Sequence, residues 1–247
     1  TRLVMKEQLY TIPVNDAFDA DTECPICAMY DKLESDAIDF VMGASYMEDD
    51  VRMETNKKGF CAKHLPLMYK NQNRLGLGLM MLTYMDRQLE EMEKLAGKRR
   101  GATSWFSKNT GGDPTAEYMA KQQCTCYVCD RMKHSYERYL ITTLYLFNTD
   151  SSFRDKFARS KGFCMKHFGE LHEMAPSHLS KVNLEEFDMC INRIMIENFR
   201  RVRDDLEWFT DKFDYRNADA PWKNSKDALI RAIQKTNSIS VEEKAKK

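Results

Sequence analysis

The 247-residue chain carries 38 Lys plus Arg against 38 Asp plus Glu, so no net field draws it onto a polyanion or an anionic membrane. Its 43% hydrophobic and 31% charged residues belong to an ordinary globular protein and exclude disordered and collagen-like classes. No apolar run approaches the roughly 20 residues that span a bilayer; the most apolar stretch, Leu75 to Leu82, is short and holds Gly76 and Gly78.

The N-terminus shows no basic region followed by an apolar one, so no secretion signal is expected. Leu9 to Val14 reads as extended, because Pro13 disfavours helix at Ile12, and Asn15 or Asp16 is placed to cap a helical turn. The pair Cys24-x-x-Cys27 follows. Tyr30, Leu33, Ala37, Ile38 and Val41 then mark one face of an amphipathic helix that Gly43 ends. Ser45 is the expected cap of a second helix to about Glu54, and Asn56 to Gly59 forms a turn delivering Cys61 and His64. Beyond it, Leu75, Leu82, Met85, Leu89, Met92 and Ala96 recur near every 3.5 residues and predict a main core helix.

Gly97 to Asp113 reads as a linker, and Asp113-Pro114 as a helix start. The pattern then recurs. Cys126-x-x-Cys129 precedes a helical face of Met132, Tyr136, Tyr139, Leu140, Thr143, Leu144 and Phe147. A turn at Asn148 to Ser152 and a short return helix, Phe153 to Ala158, lead to Cys164 and His167. A long helix from Leu184 to Phe213 follows. An aromatic stretch with paired charges, Phe209 to Trp222, reads as a strap, then come a short helix near Ser225 to Gln234 and a tail whose last ten residues are expected to be disordered. Strand patterns are otherwise absent, so the predicted class is all-α.

The heptapeptides Lys58-Gly59-Phe60-Cys61-Ala62-Lys63-His64 and Lys161-Gly162-Phe163-Cys164-Met165-Lys166-His167 differ at one position. Between the second and third cysteines of each half lie 33 and 34 residues. The expectation is two tandem helical-hairpin repeats in a pseudo-twofold bundle: residues 1–96, a linker over 97–113, residues 114–210, and a C-terminal strap, helix and tail over 211–247. In each repeat the hairpin is expected to return its chain to the start, so that Cys24, Cys27, Cys61 and His64 form one metal site and Cys126, Cys129, Cys164 and His167 the other.

Three cysteines and one histidine are a common structural zinc set, and a Cys-x-x-Cys turn places two sulfurs on one ion. Gly59 and Gly162 permit the tight turn, with positive φ. Zinc leads; an iron–sulfur cluster is the alternative. The c-type haem pattern is excluded, since Ala28 and Asp130 follow the pairs. Metal-type spacing without a secretion signal points to a reducing, cytoplasmic setting. No Ser-His-Asp order, phosphate loop or His-Glu-x-x-His can be read, which weighs against an enzyme and for a module binding a protein or small ligand. The alternative is a thiol-redox enzyme or sensor using Cys124, Cys126 and Cys129. Cys190 reads as a core position, and His134, His172 and His178 fall outside the repeat.

Tyr10-Thr11-Ile12-Pro13-Val14-Asn15-Asp16-Ala17-Phe18, Cys24-Pro25-Ile26-Cys27, the two Gly-Phe-Cys-x-Lys-His segments, Lys212-Phe213-Asp214-Tyr215-Arg216-Asn217, Pro221-Trp222 and Lys226-Asp227-Ala228-Leu229 together resemble the bacterial domain of unknown function 6062 family over nearly the whole chain. The resemblance implies no established activity.

Overall fold

A computed structural model describes residues 2–96 and 113–241. Residues 97–112 of the expected linker and 242–247 of the expected tail lie outside the described residues. Among the described residues the chain is all-α. It forms α1 (Arg2–Asp19), α2 (Pro25–Met42), α3 (Asp49–Lys58), α4 (His64–Lys70), α5 (Arg74–Ala96), α6 (Pro114–Gln123), α7 (Tyr127–Thr149), α8 (Ser151–Arg159), α9 (Met165–His178), α10 (Lys181–Asp211) and α11 (Ala228–Asn237). Short 3-10 turns lie at Ala44–Met47 and Tyr215–Asn217. No helix among the described residues is long and apolar enough to cross a membrane.

The described chain divides into two compact units. One holds the chain up to Lys32 and from Tyr136 onward; the other runs from Leu33 to Ser135. Helices α2 and α7 contribute residues to both.

The first unit is organised around phenylalanines. Phe157 is fully buried on α8, with ring centroids 5.1 Å from Phe147, 5.3 Å from Phe163, 5.6 Å from Phe18 and 5.7 Å from Phe187. Rings at these separations add to the stabilisation from their buried area. Phe163 belongs to the Gly-Phe-Cys motif, so the core itself fixes where Cys164 emerges. The helical faces read from α7 and α10 meet this core: Leu140, Leu144, Phe147, Phe187, Ile191 and Ile194 are all buried.

Helix α1 corrects the expected extended segment at Leu9–Val14. Pro13 lies inside it, at a cost of about 3 kcal/mol for an interior position. The ring leaves the Leu9 carbonyl without its helical donor, but Leu9 is 68% exposed and water can serve it. Val14, Ala17 and Phe18, buried at helical spacing, hold the segment in place. Asn15 and Asp16 are therefore interior rather than capping residues; Asn15 donates its amide to the Thr11 carbonyl (2.9 Å) and accepts from Lys156 (2.9 Å).

In the second unit Ala37, Ile38, Val41, Val51, Met68, Leu77, Met80, Val128 and Met132 are buried. Gly43 ends α2 as expected. Ser45 does not cap α3: it sits in the 3-10 turn with its hydroxyl on the Phe40 carbonyl, and Glu48 occupies the N-cap position. Helix α5 is a larger departure. Its seam of Leu75, Leu82, Met85 and Leu89 is more than half exposed, and Met92 is exposed too. Its buried residues are instead Gly76, Leu77 and Met80, and against α3 Arg52 donates to the Leu79 carbonyl (3.1 Å) and Thr83 to Asn56 (2.5 Å). The buried side of α5 is thus a short apolar patch, Leu77 and Met80, bordered by the Arg52 and Asn56 bonds, and the longer regular seam stays exposed.

Asp113 caps α6 as expected, accepting from the Thr115 and Ala116 amides, with Pro114 in the first turn. The C-terminal strap is tied to itself. Buried Lys212 donates to the carbonyls of Asn217 (2.6 Å), Ala218 (2.8 Å) and Ala220 (2.6 Å), and Arg216 pairs with Asp214 (2.6 Å). Phe213 and Tyr215 stay exposed. Residues 238–241 are anchored rather than loose: Ser240 donates to the Asp31 carboxylate (2.5 Å).

Candidate metal centres

All eight residues of the two Cys-Cys-Cys-His sets converge, in a different combination from the expected one. Cys24 and Cys27 meet Cys164 and His167 in the first unit; Cys126 and Cys129 meet Cys61 and His64 in the second. Each tetrad thus takes its Cys-x-x-Cys from one half of the sequence and its Cys-x-x-His from the other.

The outgoing and returning helices are unequal in both halves. At 1.5 Å per residue, the 18 residues of α2 rise about 27 Å, whereas the 10 residues of α3 return only about 15 Å. The 23 residues of α7 rise about 35 Å, and the 9 of α8 return about 14 Å. Rise and return thus differ by about 12 Å in the first half and about 21 Å in the second. His64 meets Glu34, seven residues past Cys27, and His167 lies beside Tyr136, seven past Cys129. The expected convergence required helices of equal length.

Local structure aims each donor. Gly59 and Gly162 adopt φ of 61° and 74°, a region costly for residues with a Cβ; a Cβ on Gly162 would also press on the Ile194 carbonyl at 3.3 Å. Cys164 sits at the N-cap of α9, its sulfur accepting from the His167 amide (3.5 Å) and from the Ser238 hydroxyl (3.0 Å). In the second unit the two loops are joined directly: Tyr127 N–H donates to the Gly59 carbonyl (3.0 Å), Thr125 to the Lys58 carbonyl (2.7 Å), and Lys58 pairs with Asp130 (3.1 Å).

Donor spacing fits a tetrahedral ion. With metal–sulfur bonds of about 2.3 Å and metal–nitrogen bonds of about 2.05 Å, sulfur–sulfur edges are about 3.8 Å and sulfur–nitrogen edges about 3.5 Å. In the first tetrad Cys27 and Cys164 Sγ are 3.6 Å apart, and His167 Nδ1 lies 3.4, 3.4 and 3.1 Å from the sulfurs of Cys24, Cys27 and Cys164. In the second, Cys61 and Cys129 Sγ are 3.9 Å apart, and His64 Nδ1 lies 3.3, 3.3 and 3.4 Å from those of Cys61, Cys126 and Cys129. Both histidines face the sulfurs through Nδ1. All eight cysteines are free thiols.

Without an ion the sulfurs must share protons. Burial pushes Cys24 up to about 12, and the neighbouring sulfurs raise Cys27 further, while bonds from both hold Cys164 far below the usual thiol range. In the second tetrad burial opposes ionisation of Cys126, but the His64 hydrogen bond outweighs it and brings the thiol down to about 6. Burial lowers His64 as well; its bonds to Cys126 and Glu34 prevail and raise it to about 9. Cys129 has an open edge, yet partial desolvation and the Cys126 charge push it up to about 12. A divalent cation bound here would displace these protons.

The surroundings differ. The first tetrad is wholly buried. Lys235 of α11, 1% exposed, donates to the carbonyls of Glu23 (2.6 Å) and Lys161 (2.5 Å), the residues just before Cys24 and Gly162. Glu23 in turn accepts from Arg201 (2.6 Å) and lies 3.3 Å from the Lys235 ammonium. His167 Nε2 is buried without a hydrogen-bond partner among the described residues, and the nearby Tyr136 hydroxyl goes to Glu170 instead. In the second tetrad Glu34 accepts from His64 Nε2 (3.0 Å) and from Lys63 (2.6 Å), an arrangement that orients a metal-binding histidine. Here Cys129 is exposed and Cys61 partly so.

Sequence reasoning missed Glu34, Tyr136, Lys235 and Ser238. The first two carried a signal, standing two helical turns beyond each cysteine pair. Lys235 lies seven residues after Ala228 on the buried face of α11, where a lysine is out of pattern. Cys124 is exposed and outside both tetrads; Cys190 is half-buried on α10. His172 faces Asp188 (3.4 Å) and His178 bonds within its own turn, so neither joins a tetrad.

The chain belongs to the DUF6062 family, a family of unknown function whose pattern matches residues 5–243. Comparison with curated proteins and with solved structures finds no match.

Proposed function

We propose that this protein binds two structural zinc ions, one in each tetrad, and serves as a non-enzymatic module for a protein or small-ligand partner in a reducing, cytoplasmic setting. The observation that carries the zinc reading is a complete Cys₃His donor set, met twice, with donor edges close to those of tetrahedral zinc. Four protein donors leave no open position for substrate or water, which argues for a structural ion. Cys24, Cys27, Cys164 and His167 would hold one ion, and Cys61, His64, Cys126 and Cys129 the other. The ion supplies charge neutralisation for the thiolates and a cross-link between distant segments. The eight free thiols are in keeping with a reducing compartment. The near-identical heptapeptides and matched spacings support descent from a duplicated helical repeat, in a pseudo-twofold plan whose Cys-x-x-His segments are exchanged between the halves.

Elemental analysis of protein purified without added metal tests the reading. Two zinc ions per chain and a colourless solution are expected, with helical content lost on chelation. A folded, metal-free protein would contradict it, and a brown chromophore would replace zinc with an iron–sulfur cluster.

A further inference from the structure

We propose that the second centre, Cys61, His64, Cys126 and Cys129, is a releasable metal site that hydroperoxides open through Cys129, whereas the first centre keeps its ion. The proposal rests on the reading that both tetrads hold metal.

Three observations carry it. The first is access. Cys129 is exposed and Cys61 partly exposed, while every donor of the first tetrad is buried beneath α11, the Lys235–Glu23–Arg201 network and the Ser238 hydroxyl. Reaction at a sulfur needs an approach path, and among the described residues only one of the two centres has one. The second is geometry: the two accessible sulfurs are neighbours, with Sγ atoms 3.9 Å apart. A shift of about 2 Å brings them to the bonding distance of a disulfide. The third is that the loops bearing them are joined without the ion. The bonds of Tyr127 to Gly59 and Thr125 to Lys58, and the Lys58–Asp130 pair, hold the start of α7 against the turn before Cys61. Loss of this one ion, with the first centre still loaded, therefore leaves the two sulfurs facing each other.

The chemistry balances in two steps. The Cys129 thiolate attacks the terminal hydroperoxide oxygen; an S–O bond forms, the O–O bond breaks, and the alkoxide takes a proton to leave as the alcohol. Sulfur has been oxidised by two electrons to the sulfenic acid. The Cys61 thiolate then attacks that sulfur, an S–S bond forms, and the oxygen departs with a proton as water. Two thiolates, one hydroperoxide and two protons give one disulfide, one alcohol and one water. The ion, left with Cys126 and His64, passes to a competing chelator. A thiol reductant reverses the change.

The test treats the full, metal-loaded chain with hydrogen peroxide in the presence of a zinc-reporting chelator, and maps disulfides by peptide mass analysis. One of the two ions should be released on the order of tenfold faster than the other, together with a Cys61–Cys129 disulfide. Dithiothreitol and zinc should restore the loaded state. Cys124→Ser should leave rate and product unchanged. Cys61→Ser should abolish the disulfide and leave Cys129 as the sulfenic acid, trapped by dimedone. Equal release of both ions, first release from the Cys24 centre, or a disulfide through Cys124 would overturn the proposal while leaving two-site zinc binding intact. Absence of metal before oxidant is added would instead overturn the zinc reading, and this proposal with it.

Discussion

Lys235→Met removes a buried charge while keeping the length of the side chain. The lysine is 1% exposed and donates to two carbonyls, those of Glu23 and Lys161, which stand immediately before the two loops of the first tetrad. Burial pulls its ammonium below the usual lysine range, against the attraction of Glu23. Methionine cannot donate, so two carbonyls lose their partner at about 1–3 kcal/mol each. The Glu23 carboxylate keeps Arg201 at 2.6 Å, so no charge is wholly orphaned, and relief of the ammonium's own desolvation offsets part of the loss. The net expectation is a destabilisation of about 3 kcal/mol, roughly a 150-fold fall in the folding equilibrium constant. Urea unfolding of metal-loaded protein, followed by far-ultraviolet ellipticity, measures it. The same variant should weaken metal binding at the first centre and spare the second, whose donors lie in the other unit. A loss below about 1 kcal/mol, or equal weakening of both centres, would refute the reading that Lys235 holds the two loops of the first tetrad through the Glu23 and Lys161 carbonyls.

Glu34→Gln keeps the shape but weakens the acceptor on His64 Nε2, and should lower metal affinity at the second centre by about 10- to 100-fold in a chelator competition, with the first centre unchanged. Gly162→Ala forces a Cβ into a positive-φ position facing the Ile194 carbonyl and should cost about 1–3 kcal/mol by urea unfolding. Metal affinity should rise with pH. Cys24 and Cys27 are held above neutrality, so at pH 7 they carry protons that an entering ion must expel; two displaced protons give about a 100-fold gain in apparent affinity per pH unit at the first centre. Competition titrations at pH 6, 7 and 8 check the slope, and pH-independent affinity would contradict it.

The chemistry of the sites was legible because donor identity and spacing are local properties. Cys-x-x-Cys and Gly-Phe-Cys-x-Lys-His announce themselves within a few residues, as did Asp113 as a cap and the buried faces of α7 and α10. Pairing was not local. Two Cys-x-x-Cys and two Cys-x-x-His segments combine in two ways, and a hairpin that closes its own site needs helices of matched length, a matter of helix ends that periodicity leaves open. Pro13 misled for a similar reason: its local preference was outweighed by the burial of Val14, Ala17 and Phe18. In α5 the apolar seam was real, but the residues that are buried are Leu77 and Met80, beside the bonds to Arg52 and Asn56 of α3, and the seam itself stays exposed.

The exchanged pairing of the tetrads is tested most directly by metal content in double variants, measured after dialysis against a mild chelator. Cys27→Ala combined with Cys164→Ala damages one tetrad twice, and the protein should keep one of its two zinc ions. Cys27→Ala combined with Cys61→Ala damages both tetrads, and neither ion should remain. The opposite outcome, with Cys27→Ala and Cys61→Ala keeping one ion and Cys27→Ala and Cys164→Ala keeping none, would mean that each half of the chain closes its own site.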